Sequence, residues 1–185
     1  MADPLEQAMA AVNQQYPTIG QHKIGVSKGM GEYYSEFYPP WETGTTAAPH
    51  PFPGTPHIQV MSKGSALEGQ DLQNLLAGES LHHLGSINPI DNIAVDPTWQ
   101  MMKQSFAKSA PPHQIQADRQ AYLDEVKQGE TRPFDQWYAQ SRGDVWLRHG
   151  LFPLASEATD TTNWFSAEQR SWLTHMKSYL QKGHD

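Results

Sequence analysis

The sequence predicts an α+β fold that is mainly α: about six helices, a short two-stranded β element and a long arm rich in Gly, Pro and aromatic residues. Three observations lead to this prediction. Apolar residues recur at helical spacing through most of the second half of the chain, and two short stretches alternate apolar and polar residues. The segment between these two stretches shows neither the helical spacing nor the alternation. The chain has 185 residues and no cysteine, so its stability depends on a hydrophobic core and not on disulfides.

The first helix is predicted to begin at Asp3, which can cap it, with Pro4 in the first turn, and to end before Pro17. Its apolar stripe is thin, which fits a core helix and a docking arm equally. We therefore divide the chain into an N-terminal helix or arm, 1–19, and a single globular domain, 20–185, with an extended loop at 29–56.

The two strands are predicted at 23–26 and at 57–61, where apolar residues alternate with polar ones. The segment between them is unusually long for a structureless loop in a compact domain. Aromatic rings are costly to expose to water, so something should cover them, either the protein's own helices or a partner. The rings expected to bind a partner are Tyr33, Tyr34, Phe37, Tyr38 and Trp41.

Helix start signals follow from residue 65 onward. Capping boxes are predicted at Ser65–Glu68 and Ser166–Gln169, and prolines at 97, 112 and 133 mark the first turns of three further helices. Five of the six Trp residues fall among these helices, a distribution typical of helix–helix packing.

Composition excludes several classes of protein. With 13 Lys and Arg against 20 Asp and Glu, the net charge is −7, which argues against a nucleic-acid binder. No apolar run is long enough for a membrane span, and the N-terminus lacks the basic and apolar regions of a signal peptide. Nucleotide-binding and serine-hydrolase motifs are also missing from the sequence.

The run Gly78-Glu79-Ser80-Leu81-His82, on the helix that follows the better strand, resembles the H-E-x-x-H helix of zincin metallopeptidases. The resemblance implies Glu79 as general base and His82 as a zinc ligand, and the hydrolase hypothesis takes His82 or His83 as the ligand. The run departs from the motif where Gly78 replaces the first histidine, so the two-histidine chelate cannot form. Glu79 and His83 are four residues apart, and they could instead form a simple charge or hydrogen-bond pair.

Over about residues 32–182 the chain also resembles small proteins or modules encoded in tailed-bacteriophage genomes. Some of these modules are parts of large virion-associated polypeptides. The segments that carry this resemblance are Glu36–Pro40, Thr55–Val60, Gly78–His82, Gly129–Trp137 and Phe165–Gln169. It implies a protein associated with the phage particle or its delivery machinery, and it identifies no reaction.

Two functional hypotheses result. The first is a non-enzymatic virion-associated or assembly protein without a cofactor, located in the virion or the host cytoplasm, whose aromatic arm and helices contact other protein subunits. The alternative is a zincin-like metallohydrolase, active or degenerate, that uses Zn and acts on peptide or cell-wall substrates.

Overall fold

A computed structural model of the protein describes residues 3–17, 19, 24–30, 34–38, 56–87, 97–155 and 162–182, including all their side chains except those of 36–38, 83–87 and 162. The α+β, mainly α class is confirmed. The strands are β1 (Gly25–Lys28), β2 (Ser35–Tyr38) and β3 (His57–Val60). The helices are α1 (Pro4–Gln15), α2 (Ser62–Ser65), α3 (Gly69–Ile87), α4 (Pro97–Lys108), α5 (Pro112–Lys127), α6 (Phe134–Trp137), α7 (Gly143–Leu151) and α8 (Ala167–Lys182). A π-helix, Tyr138–Arg142, joins α6 to α7, and a 3₁₀ turn, Thr162–Trp164, precedes α8.

The sheet has three strands in the order β1-β3-β2, one more than the sequence predicts. The central strand β3 pairs in parallel with β1 and antiparallel with β2. The additional strand, β2, lies in the segment predicted as an arm, because its backbone groups gain partners along the free edge of β3. The ladder continues beyond β3, where the Met61 amide donates to the Tyr34 carbonyl at 2.9 Å.

The N-terminal helix is part of the core. Asp3 caps it as predicted, since its carboxylate accepts a 2.7 Å hydrogen bond from the Leu5 amide. The apolar stripe is buried in the same core cluster as α3 and the sheet; its members are Leu5, Ala8, Met9 and Val12. Tyr16 packs edge-on against Phe152 at 5.1 Å between ring centroids, which ties α1 to the end of α7.

Aromatic rings fill the layer formed by α4, α7 and α8. Phe106 packs edge-on against Phe165 at 4.7 Å, and Trp99 lies 5.7 Å from Trp172. The backbones of α4 and α7 approach so closely that a Cβ at Gly143 would overlap the Lys103 carbonyl oxygen. The structure therefore confirms the predicted helix–helix packing role of these tryptophans.

The capping box predicted at Ser166–Gln169 is present in both directions: the Ser166 amide donates to Gln169 Oε1 at 2.8 Å, and the Gln169 amide donates to Ser166 Oγ at 3.1 Å. The one predicted at Ser65 is wrong, because Ser65 belongs to the short helix α2 and its hydroxyl donates to the Val60 carbonyl. The long helix α3 begins only at Gly69, whose φ of 56° is left-handed and separates the two helices.

Candidate functional site

Glu79, the general base that the zincin resemblance implies, lies half-buried on α3. Its carboxylate accepts a 3.0 Å hydrogen bond from the Ser35 hydroxyl of β2. This contact attaches the middle of the long helix to the edge strand of the sheet. A carboxylate held by a hydroxyl in this way has a structural partner, which is different from a base that faces a bound water.

His82 lies one turn further along α3 and has a partner on α7. Its Nδ1 is 3.6 Å from a carboxylate oxygen of Asp144, and 43% of its side chain is exposed. The side chain of His83, the other predicted ligand, lies outside the described residues. Within the part of the chain that the structure describes, no three His, Asp or Glu side chains are grouped as a metal site.

Asp144 is the centre of a cluster of charges between α3, α4 and α7. Arg148, one turn along α7, donates to the carboxylate at 2.7 Å, and Lys103 of α4 lies 3.6 Å from its other oxygen. Burial alone would raise the pKa of Asp144. The adjacent Arg148, together with His82 and Lys103, outweighs burial and holds the pKa of this carboxyl well below its usual range. The carboxylate is therefore ionised throughout the physiological range.

The guanidinium of Arg148 connects this cluster to the zincin-like residues. Burial lowers its pKa, but the charges of Asp144 and Glu79 raise it by more, so the net pKa is raised. A second guanidinium nitrogen lies 3.5 Å from the carbonyl oxygen of Gly78, the residue that replaces the first zincin histidine. Gly78 and His82 thus contact one structural cluster that joins α3 to its neighbours, and the charge of Glu79 acts on the Arg148 of that cluster. The sequence contained a signal for it, because Asp144 and Arg148 have the spacing of an i, i+4 helix pair.

Of the predicted partner-binding rings, Tyr34 is the one whose side chain is described. It is half-buried, with the Lys63 ammonium 4.1 Å above its ring. Phe37 and Tyr38 lie on β2, where their backbones pair with β3 and their side chains are outside the described residues. Tyr33 and Trp41 lie outside the described residues altogether. In the antiparallel register Tyr38 is the partner of His57, so the connection 39–56 leaves the sheet and returns to it at neighbouring positions.

A serine–histidine pair lies within the sheet and was not predicted. Ser27 Oγ of β1 and His57 Nε2 of β3 are 2.7 Å apart. This is the contact that a nucleophile and its base would make. His57 is fully buried and Ser27 is half-buried, and their contact joins the two parallel strands.

A cleft of about 710 Å³ lies between α4, α5 and the segment that contains α6 and the π-helix. Its lining includes three basic side chains, Lys103, Lys108 and Arg119, and one acidic side chain, Asp135. Phe134 contributes a ring on which the Arg119 guanidinium stacks at 4.1 Å. The cleft depends on the relative placement of three helices, so no local pattern in the sequence predicts it.

No protein-family model, curated protein or solved structure matches the chain. None of the helices in the described ranges combines the length and hydropathy that crossing a membrane requires.

Proposed function

We propose that the protein is a non-enzymatic assembly protein of a tailed-bacteriophage particle, and that it binds other protein subunits through the loop between β2 and β3. The observation that carries the proposal is the register of these strands, in which Tyr38 is paired directly with His57. A hairpin at this position needs only two connecting residues. The chain instead places residues 39–56 there, a segment with six prolines and the two aromatic residues Trp41 and Phe52.

Long loops held at both ends by a rigid sheet are where binding residues concentrate in proteins. Aromatic side chains supply a large contact area with few rotatable bonds, so ordering them on a partner loses little conformational entropy. Proline restricts the unbound loop further and lowers the same cost. Trp41 and Phe52 are the largest rings of this loop, and they are the residues expected to contribute most to binding.

The contacts of the zincin-like helix support the same proposal. Glu79 holds Ser35, His82 faces Asp144, and Gly78 supplies a carbonyl to Arg148. Each motif position therefore serves the packing of α3. The alternative, a zincin-like metallohydrolase, has no contact in its favour among the side chains that the structure describes. Zinc analysis of the purified chain tests it: one equivalent of Zn that is lost in Glu79→Gln and His82→Ala variants would support the hydrolase and contradict our proposal.

The test of the proposed function is a loop replacement. In the first variant an Asn-Gly turn replaces residues 39–56, which the pairing of Tyr38 with His57 permits. In the second the loop keeps its length but carries Trp41→Ser and Phe52→Ser. Each version is supplied during growth of the phage that encodes the chain, and gradient-purified particles are examined by quantitative immunoblotting.

We expect the unaltered chain to be present at a fixed copy number per particle. The turn variant should be absent from particles, and the copy number of the serine variant should be strongly reduced. Urea unfolding of each purified variant is the control, and the cooperative transition of the unaltered chain should be retained because β2 and β3 are intact. Absence of the unaltered chain from particles would refute the particle role. Equal incorporation of a folded turn variant would refute the role of the loop.

A further inference from the structure

The helix α5 is attached to the rest of the protein along a narrow strip. In α5, which is described throughout, the one fully buried side chain is that of an aspartate, Asp118. Tyr138 donates to this carboxylate at 3.0 Å, Gln114 donates at 3.1 Å, and Arg142 lies 3.6 Å away. Tyr122 adds ring contacts with α6. The remaining faces of α5 are open, and one of them forms a wall of the cleft.

Apolar side chains are exposed on both helices that border the cleft. On α5, Leu123 is 47% and Val126 is 41% exposed, and Leu123 lies one turn beyond the cleft residue Arg119. On α4, Met101 is 61% exposed and shares a helix face with the cleft residue Gln104. Exposed apolar groups on both sides of a cleft are typical of a surface that binds a partner.

The charge in the cleft is opposite to that of the whole chain. Lys103 is paired with Asp144, which leaves Lys108 and Arg119 as basic groups that form no ion pair with another described residue. Asp135 is the one carboxylate of the lining. A net positive cleft in a chain of net charge −7 is complementary to an acidic ligand and unfavourable for a basic one.

The lining favours a protein segment over a small anion. Glutamine side chains from α4 and from the segment around the π-helix line the cleft, and their amides can both donate to and accept from an extended backbone. A small anion would pair with Lys108 and Arg119 but would leave the exposed Leu123, Val126 and Met101 in water. An acidic peptide with aliphatic side chains would cover all of them.

We propose that the cleft between α4, α5 and the π-helix is a docking site for an acidic, aliphatic segment of a partner protein. This inference rests on the proposed function and deepens it, because it gives the chemistry of one partner and a second surface besides the loop. Lys108 and Arg119 bind the carboxylates, and the apolar residues on the two helices contact the aliphatic side chains.

The test begins with selection of random 12-residue displayed peptides on the purified full chain. We expect enrichment of sequences that combine Asp or Glu with Leu, Ile or Val. The best peptide is then synthesised with a fluorophore, and its dissociation constant is measured by anisotropy against Lys108→Glu, the double variant Lys108→Glu with Arg119→Glu, and Lys127→Glu. The last is the matched control, because Lys127 is 77% exposed and lies on α5 outside the cleft lining.

The single cleft variant should weaken binding about threefold and the double variant more than about tenfold, while the control changes it less than about twofold. Added salt should weaken binding to the unaltered chain. Peptides without an acidic bias, or equal binding by all variants, would overturn the inference. Binding of pyrophosphate that is lost in the cleft variants, without any peptide binding, would reassign the cleft to a small anion. Self-association that the double variant abolishes would reassign it to a second copy. Because the assay uses no particles, its failure is distinguishable from failure of the loop test.

Discussion

His149 makes the stability of the fold depend on pH in the mildly acidic range. Its ring lies on α7, edge-on to the Trp146 ring at 5.8 Å between centroids. Burial, and then the charge of the adjacent Arg148, lowers the pKa of His149 from 6.5 to about 4. The folded protein therefore keeps this imidazole neutral at pH values where the unfolded chain binds a proton.

The magnitude follows from linkage. Stability rises with pH wherever the unfolded state binds more protons than the folded state, and for His149 that window lies between pH 6.5 and about 4. Each unit of pKa difference corresponds to about 1.4 kcal/mol, so acidification from pH 7 to 4.5 should remove about 2 to 3 kcal/mol of unfolding free energy through this one group. The pKa of Asp144 lies below its usual range, so its ion pair with Arg148 persists at pH 4.5.

The assay is urea unfolding at pH 7 and at pH 4.5 for the unaltered chain and for His149→Gln, followed by tryptophan fluorescence and by circular dichroism. We expect the unaltered chain to lose about 2 to 3 kcal/mol more than the variant over this interval. His113→Gln, which removes an exposed imidazole from α5, controls for the loss of a histidine as such. Equal losses by the unaltered chain and by His149→Gln would refute the assignment of His149 as a buried neutral group.

Three further predictions concern stability and use urea or thermal unfolding. Gly143→Ala should cost about 3 kcal/mol, because the new Cβ overlaps the Lys103 carbonyl and separates two helices. Gly78 is a helix position with open space around it, so Gly78→Ala should instead stabilise the fold by about 1 kcal/mol. Because its expected change in unfolding free energy has the opposite sign, this variant is a matched control for Gly143→Ala. Asp144→Asn should cost about 3 to 5 kcal/mol, because it leaves buried cations without their carboxylate; a loss below about 1 kcal/mol would contradict this. Gln169→Ala should lower stability by about 2 kcal/mol, measured as a fall in melting temperature, since one side chain both caps α8 and donates to Ser105 of α4 and to Ser109 just beyond it.

The features that the sequence predicted correctly are decided within a few residues. The caps at Asp3 and Ser166 work because each side chain meets an amide two or three positions away. The box at Ser65 failed because a competing short helix and the left-handed Gly69 intervene, and both depend on how the chain follows β3. The strand at Ser35–Tyr38 was missed because its partner lies beyond a long loop, so its pairing is a tertiary feature.

The contacts of the candidate site could not be predicted for the same reason: they depend on tertiary packing. The i, i+4 spacing of Asp144 and Arg148 is visible in the sequence, but their contacts with His82 and Gly78 depend on the packing of α7 against α3. The α3 residues resemble a motif because they are close together in the sequence, whereas the residues that they contact lie on other elements far away in the sequence. A sequence motif that lacks one ligand can therefore indicate chemistry while its remaining side chains take part in packing.

Asp144 and Asp118 each pair with an arginine of the continuous segment formed by the π-helix and α7. The two clusters differ in how much of the neighbouring surface they leave exposed. Asp144 is surrounded by elements on several sides, so the cluster around it joins α3, α4 and α7, with the His82 side chain 43% exposed at its edge. Asp118 anchors one side of α5, together with Arg142 and with Tyr138, whose pKa burial and then this carboxylate raise to about 12, so that the phenol remains a donor. Tyr122 and Glu125 add contacts with α6, and the apolar groups on the other faces of α5 stay exposed. The cluster at α5 therefore borders the open cleft, and the lining of that cleft includes no described residue of α3.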